Sequence, residues 1–136
     1  MTDLHPLAKL LQSRIAIIDG AVGTTLRTYG VTEADIRGNR FKDSKKDLLN
    51  NGDLFSLTQP KVIGDIHRRF LEAGADIIET NTFTANQPSQ ADYGMQALVG
   101  EINLAAARLA RTVADDVIAA TGSLRFVAGA LGPTNR

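Results

Sequence analysis

Two spacings of apolar residues divide this chain. Val62, Ile63, Ile66, Phe70 and Leu71 recur at helical intervals after Thr58 and Pro60, which suit a helix start, and Gly74 supplies a stop. A helix is therefore expected over residues 59–73. The helical interval returns in Leu98, Val99, Ile102, Ala105, Ala106, Leu109, Val113 and Val117, so a second amphipathic helix is expected from about residue 90 to 120. Gly94 and Gly100 weaken it, and Gly122 ends it. Between these lie compact apolar runs. RIAIIDG reads as a fully buried strand closed by an Asp-Gly turn, residues 76–80 as a second strand, and RFVAGALG as a third. Residues 4–12 and AVGTTLRTYG suit short helices, while residues 30–58 are turn-rich, poorly periodic and expected to form a long loop.

The order strand, helix, strand, helix, strand implies an α/β fold with a parallel sheet covered by helices. RFVAGALG runs straight into PTNR with no covering helix, which would leave a three-stranded unit with exposed faces and an open edge. A fragment is the expected reading. The alternative is a small complete α/β domain that finds its missing surface in an oligomer.

Composition narrows the function classes. Hydrophobic residues make up 43% of the 136, enough to build a core, and no apolar run approaches the roughly 20 residues of a membrane span. The N-terminal MTDLHPLAKLLQSR lacks the apolar centre of a signal peptide, which favours the cytoplasm. Fifteen basic side chains balance fifteen acidic ones, and the lysines of KDSKKD alternate with aspartates, so there is no basic stripe for nucleic acid. That run reads as a solvated loop. Cysteine is absent, which excludes disulfides, thiolate zinc ligands and a cysteine nucleophile within this chain.

Candidate chemistry gathers at the carboxyl ends of the strands, where parallel α/β folds place ligands. In DGAVGTT, Asp19 stands beside Gly20 and Ala21 at a strand-to-helix turn. A carboxylate there can receive an ammonium, and free amides entering a helix favour a carboxylate, a pairing that suits a zwitterionic amino acid. Asp-Gly is equally a common turn. In ETNTF, alternation sets Thr80 and Thr82 on one face and Glu79 and Asn81 on the other, one pair facing a barrel axis; the threonines could equally serve loop amides. The third end, GPTN, carries Asn135. There is no Walker loop, serine elbow or catalytic triad. His67 and His5 have no second ligand at metal spacing, so His67 is expected to pack or to face solvent.

Taken jointly, DGAVGT, SLTQPKVIGDIHRRFLEAGADIIETNTFTANQPSQADYG, EINLAAARLAR and RFVAGALGPTNR closely resemble the N-terminal homocysteine-binding domain of cobalamin-dependent methionine synthases, from about residue 15 onward. Other homocysteine methyltransferases, which use betaine or S-methylmethionine, share the DG turn and the Thr-x-Thr-Phe strand end more loosely. The resemblance implies the first three or so βα units of a (β/α)8 TIM barrel, continuing beyond residue 136. It implies homocysteine as partner, with Asp19, Gly20 and Ala21 at its amino-acid end and Thr80 as a binding threonine. Glu79, Asn81 and Asn135 would be neighbours or supports. It further implies zinc on the homocysteine sulfur, methylcobalamin as methyl donor and methyltetrahydrofolate, bound by other domains, to regenerate it. The family's zinc is carried by three cysteines from later strands, so neither zinc nor cobalamin is expected on this chain in the family mode, and the isolated chain is expected to be inactive. Self-association of the incomplete barrel, or a non-catalytic amino-acid-binding half barrel, are further expectations.

Overall fold

A computed structural model describes residues 3–134. Helix α1 (Pro6–Ser13) opens with His5, whose Nδ1 accepts from the Leu7 amide at 3.2 Å. After the 15–19 segment come α2 (Val22–Thr28), α3 (Glu33–Arg37), a 3₁₀ turn (Gly52–Leu54), α4 (Phe55–Thr58), α5 (Pro60–Glu72) and strand β1 (Ile77–Glu79). Then follow α6 (Gln87–Ala91), a 3₁₀ turn (Gln96–Leu98), α7 (Val99–Thr121) and strand β2 (Phe126–Ala128).

The two long helices form where the apolar spacing places them. In α5, Pro60 occupies the first turn, where its missing N–H costs nothing, although Gln59 rather than Thr58 holds the cap position. Gly74 (φ 111°) and Gly122 (φ 71°) end α5 and α7 in backbone conformations that other residues rarely adopt. The expected second helix differs at its start. It begins at Val99, because Gly94 turns at φ 70° and separates α6 from α7.

β1 and β2 pair in parallel, Ile77 opposite Phe126 and Glu79 opposite Ala128. The expected first strand does lie parallel on the far side of β1. The Asp76 and Ile77 amides donate to the Ile17 carbonyl at 2.7 and 3.1 Å, and the Asp19 amide donates to the Ile77 carbonyl at 2.9 Å. It is neither a full strand nor buried, however. Only Ile18 is bridged, to Ile77, and Ile15, Ile17 and Ile18 are 86%, 57% and 50% exposed. The apolar run has β1 on one edge and, among the described residues, no element packed over its isoleucines.

The 30–58 region also departs from the expected loop. Three short helical turns bring Ile36, Leu54 and Phe55, and the segment between them brings Leu48, into one core cluster with Ile63 and Ile66 of α5 and Ile102 of α7. Burying those four side chains stabilises the excursion by roughly 1.5–3 kcal/mol each. A second cluster joins Leu71 and Ile78 to Ala110, Val113, Ala114 and Val117, so α5 and α7 cover one face of the sheet. No helix among the described residues is long and apolar enough to cross a membrane.

Candidate active site at the carboxyl ends of the strands

The two described strand exits and the 15–19 segment converge through side chains that bond to backbone. Asp19 is 6% exposed. Its Oδ1 accepts from the Glu79 amide at 3.0 Å, which ties the first chain exit to the end of β1. Its Oδ2 is buried with no hydrogen-bond partner among the described residues. Burial pushes the Asp19 carboxyl up to about 6; the Glu79 amide pulls the other way, and the Glu79 charge adds to the rise. A carboxylate with one oxygen clamped and one unpaired is held at a free-energy cost until a donor reaches it.

Gly20 and Ala21 follow on the surface. A Cβ at Gly20 would meet nothing within 4 Å, so the space above this turn is open. Ala21 caps α2 at φ −12° with no side-chain hydrogen bond to the first-turn amides.

β1 ends at Glu79, so strand alternation does not reach Thr80 and Thr82; a turn in which the Thr82 amide donates to the Thr80 carbonyl at 2.9 Å brings them together instead. Their hydroxyl oxygens are 2.7 Å apart. The Ala130 amide donates to Thr80 Oγ1 at 3.1 Å, and Thr82 Oγ1 donates to the Ala130 carbonyl at 2.9 Å. Because the single Thr82 proton goes to that carbonyl, the Thr80 proton must go to Thr82. The four groups close a ring that staples the exit of β2 to the exit of β1. Thr80 is left with one lone pair and no proton. Toward a ligand it can accept from an ammonium or a thiol; it cannot donate to a carboxylate.

Asn81 points elsewhere. Its Nδ2 donates to the Gly52 carbonyl at 2.9 Å and to Ser56 Oγ at 3.1 Å, anchoring the β1 exit to the 52–56 turn. Glu79 is half-buried at the end of β1, and Asn135 lies outside the described residues.

Several residues that organise this end of the sheet carried no pattern in the sequence. Asp53, buried, accepts from the Thr84 amide at 2.6 Å and its hydroxyl at 2.8 Å, and burial holds its carboxyl above the usual range. Asn51 and Gln90, both fully buried, exchange carboxamide hydrogen bonds at 2.8 and 2.9 Å. These partners are 31 and 39 residues apart, beyond the reach of any local spacing rule.

His67 packs in the core, with neither ring nitrogen hydrogen-bonded among the described residues, and burial alone pulls its pKa down to about 4. No group of three His, Asp or Glu side chains among the described residues is placed to hold a metal ion. With no cysteine in the sequence, the donor set for a thiolate-ligated zinc does not exist on these residues.

The family model for homocysteine S-methyltransferases matches residues 16–136. Two crystal structures of the homocysteine methyltransferase MmuM from Escherichia coli share 25% identity with the chain. The metallated form aligns with a TM-score of 0.72 over 95% of this chain and 42% of that one. The oxidized form aligns at 0.74 over 96% and 41%. The chain thus spans about two-fifths of the length of these solved relatives.

Proposed function

The chain belongs to the homocysteine S-methyltransferase family, and on that premise we propose that it supplies the amino-acid end of a homocysteine pocket, as the opening βα units of a (β/α)8 barrel. The observation that carries this reading is Asp19: a buried carboxylate at a strand end, with Oδ1 clamped by the Glu79 amide and Oδ2 unpaired. The substrate ammonium is the donor that Oδ2 lacks. The exposed Gly20–Ala21 turn follows Asp19 directly and leads into α2, so its amides suit the substrate carboxylate. Thr80 contributes its remaining lone pair, and the Thr80–Thr82–Ala130 ring keeps that lone pair in place.

The chemistry at sulfur belongs to residues outside these. The donor set present does not fit zinc, so no step through a metal is assigned to this chain. What its own residues do is bind and orient. Asp19 is mostly ionised at neutral pH and grows more so as the ammonium binds, because an opposite charge favours the carboxylate.

For the whole enzyme, the reading extends to methyl transfer from methyltetrahydrofolate through methylcobalamin to homocysteine, giving methionine. The motifs ADIIETNTF and GPTNR support it. A second reading keeps the same homocysteine pocket but takes betaine or S-methylmethionine as donor without cobalamin; the likeness to MmuM supports the homocysteine methyltransferase activity common to both readings.

Titration calorimetry of this chain with homocysteine tests the pocket. Binding that persists without zinc, weakens below pH 6 and disappears in Asp19→Asn is expected. Binding unaffected by Asp19→Asn would overturn the assignment. Methionine formation by a protein containing this chain, assayed with each donor, separates the two donor readings.

A further inference from the structure

A cavity of about 560 Å³ opens between α2 and the 49–55 segment, lined by Gly23, Thr24, Leu26, Arg27, Val31, Leu49, Asn50, Gly52 and Phe55. Its volume falls in the range of small-molecule sites. None of Asp19, Gly20, Ala21, Glu79, Thr80 or Asn81 lines it. It adjoins the proposed homocysteine pocket, Gly52 of its wall accepting from Asn81, but shares none of those residues, so its occupancy is tested separately.

The lining divides by chemistry. Leu26, Val31, Leu49 and Phe55 make an apolar wall, while Thr24, Arg27 and Asn50 bring a hydroxyl, a guanidinium and a carboxamide. Among the described residues that line it, Arg27 carries the one formal charge, and none is acidic.

Arg27 differs from most of the described arginines in having no partner among the described residues. Arg14, Arg37, Arg40, Arg68 and Arg111 are each paired with a carboxylate. Arg69 donates to the Tyr29 hydroxyl, and Arg125 donates to a backbone carbonyl. Among the described residues, no hydrogen bond or ion pair holds Arg27. A guanidinium presents five donors in a planar fork that matches a carboxylate. Here that fork borders a cavity whose other walls are hydrocarbon, Thr24 and Asn50.

We propose that this cavity binds a small amphiphilic monocarboxylate, its carboxylate on Arg27 with Thr24 and Asn50 as further donors, and its hydrocarbon body against Leu26, Val31, Leu49 and Phe55. A single cation with two neutral donors matches one negative charge. The apolar wall favours a ligand with a hydrocarbon part over a bare inorganic anion, because burying that part removes apolar surface from water.

Hexanoate is the probe. The rate at which phenylglyoxal modifies each arginine of the intact chain is followed by peptide mass spectrometry across a hexanoate series. Arg108, exposed and likewise without a partner among the described residues, serves as the internal control. The expected result is saturable protection of Arg27, about threefold when the ligand stands at twice its dissociation constant, by mass action. Arg108 should be unchanged. Hexanol, hexylamine and inorganic phosphate at equal concentration should give no protection. Asn50→Asp, an exposed change that offers Arg27 an internal carboxylate, should abolish the effect of hexanoate. Equal protection of Arg27 and Arg108, protection by hexanol or phosphate as strong as by hexanoate, an Arg27 rate flat across the series, or protection that survives Asn50→Asp would each overturn the proposal.

Discussion

The backbone amide of Glu79 donates to Asp19 Oδ1 at 3.0 Å, joining two chain exits that are 60 residues apart and leaving Asp19 Oδ2 buried and unpaired. That contact orients the carboxylate, while burial raises its pKa to about 6. Binding capacity and stability are therefore set against each other at one side chain.

Asp19→Asn should show both sides. The folded pKa lies above the ordinary value, so the carboxyl is best tolerated protonated, and stability is lost as pH rises from about 4 through 6. The penalty above pH 6 is roughly 3 kcal/mol. The asparagine keeps an acceptor for the Glu79 amide and orphans an NH₂ at about 1 kcal/mol. A net gain of about 1–2 kcal/mol at pH 8 follows, with none at pH 4. Urea unfolding at the two pH values measures it.

His67 works in the opposite sense. Its folded pKa of about 4 lies below the ordinary 6.5, so its contribution is present above pH 6.5 and is lost as pH falls through 4. That loss amounts to roughly 3 kcal/mol. In the unmodified chain the opposed Asp19 and His67 slopes offset each other between about pH 4 and 6, giving a shallow profile. His67→Leu should expose the Asp19 slope, making the variant more stable at pH 4.5 than at pH 7. A variant that loses stability with acid over that window would contradict the assignment.

Thr80→Val removes the hub of the threonine ring while keeping its shape. The Ala130 amide loses its acceptor and Thr82 Oγ1 its donor, at a cost of about 1–3 kcal/mol. Thr80→Ser should retain most of the stability. Hydrogen exchange at the Ala130 amide should accelerate in the valine variant and not in the serine one.

Asp76 is the other clamp on the 15–19 segment. Arg14 forms two hydrogen bonds to it at 2.7 Å, and the Ile17 amide donates to it at 2.9 Å. The Arg14 guanidinium, then the Ile17 amide, bring its pKa down to about 2. Its stabilising contribution is present above pH 4 and lost as pH falls toward 2. Arg14 is half-exposed, so solvent screens the pair. Asp76→Asn should cost about 1–2 kcal/mol at pH 7 and nothing at pH 2, read from thermal melts at both.

Exposed Ile15, Ile17 and Ile18 lie on a segment that has β1 on one edge and, among the described residues, no strand on the other. Such edges associate. The chain should sediment as a concentration-dependent mixture at micromolar loading, and Ile15→Lys with Ile17→Lys should shift it toward monomer. Concentration-independent monomer in the unmodified chain would count against it.

Spacing determined α5, the body of α7 from Val99 and the parallel order of the strand runs, because helical periodicity and β-branched runs are local properties, while the start of α7 was set by the turn at Gly94. The placing of Asp19 and Thr80 at strand ends was likewise legible, as each follows an apolar run. Tertiary structure decided the rest. Only the fold could show that the 30–58 region builds a core through Ile36, Leu48, Leu54 and Phe55, since their irregular spacing reflects short turns and the segment between them meeting α5 and α7 rather than one periodic face. Only the fold could show that Ile15 and Ile17 are exposed, because a strand's burial depends on what lies over it and not on its own residues. And only the fold revealed that Thr80 spends its proton on Thr82 while Asp19 keeps one oxygen unpaired: hydrogen bonds over 50 and 60 residues of chain are made in space, and no spacing rule records them.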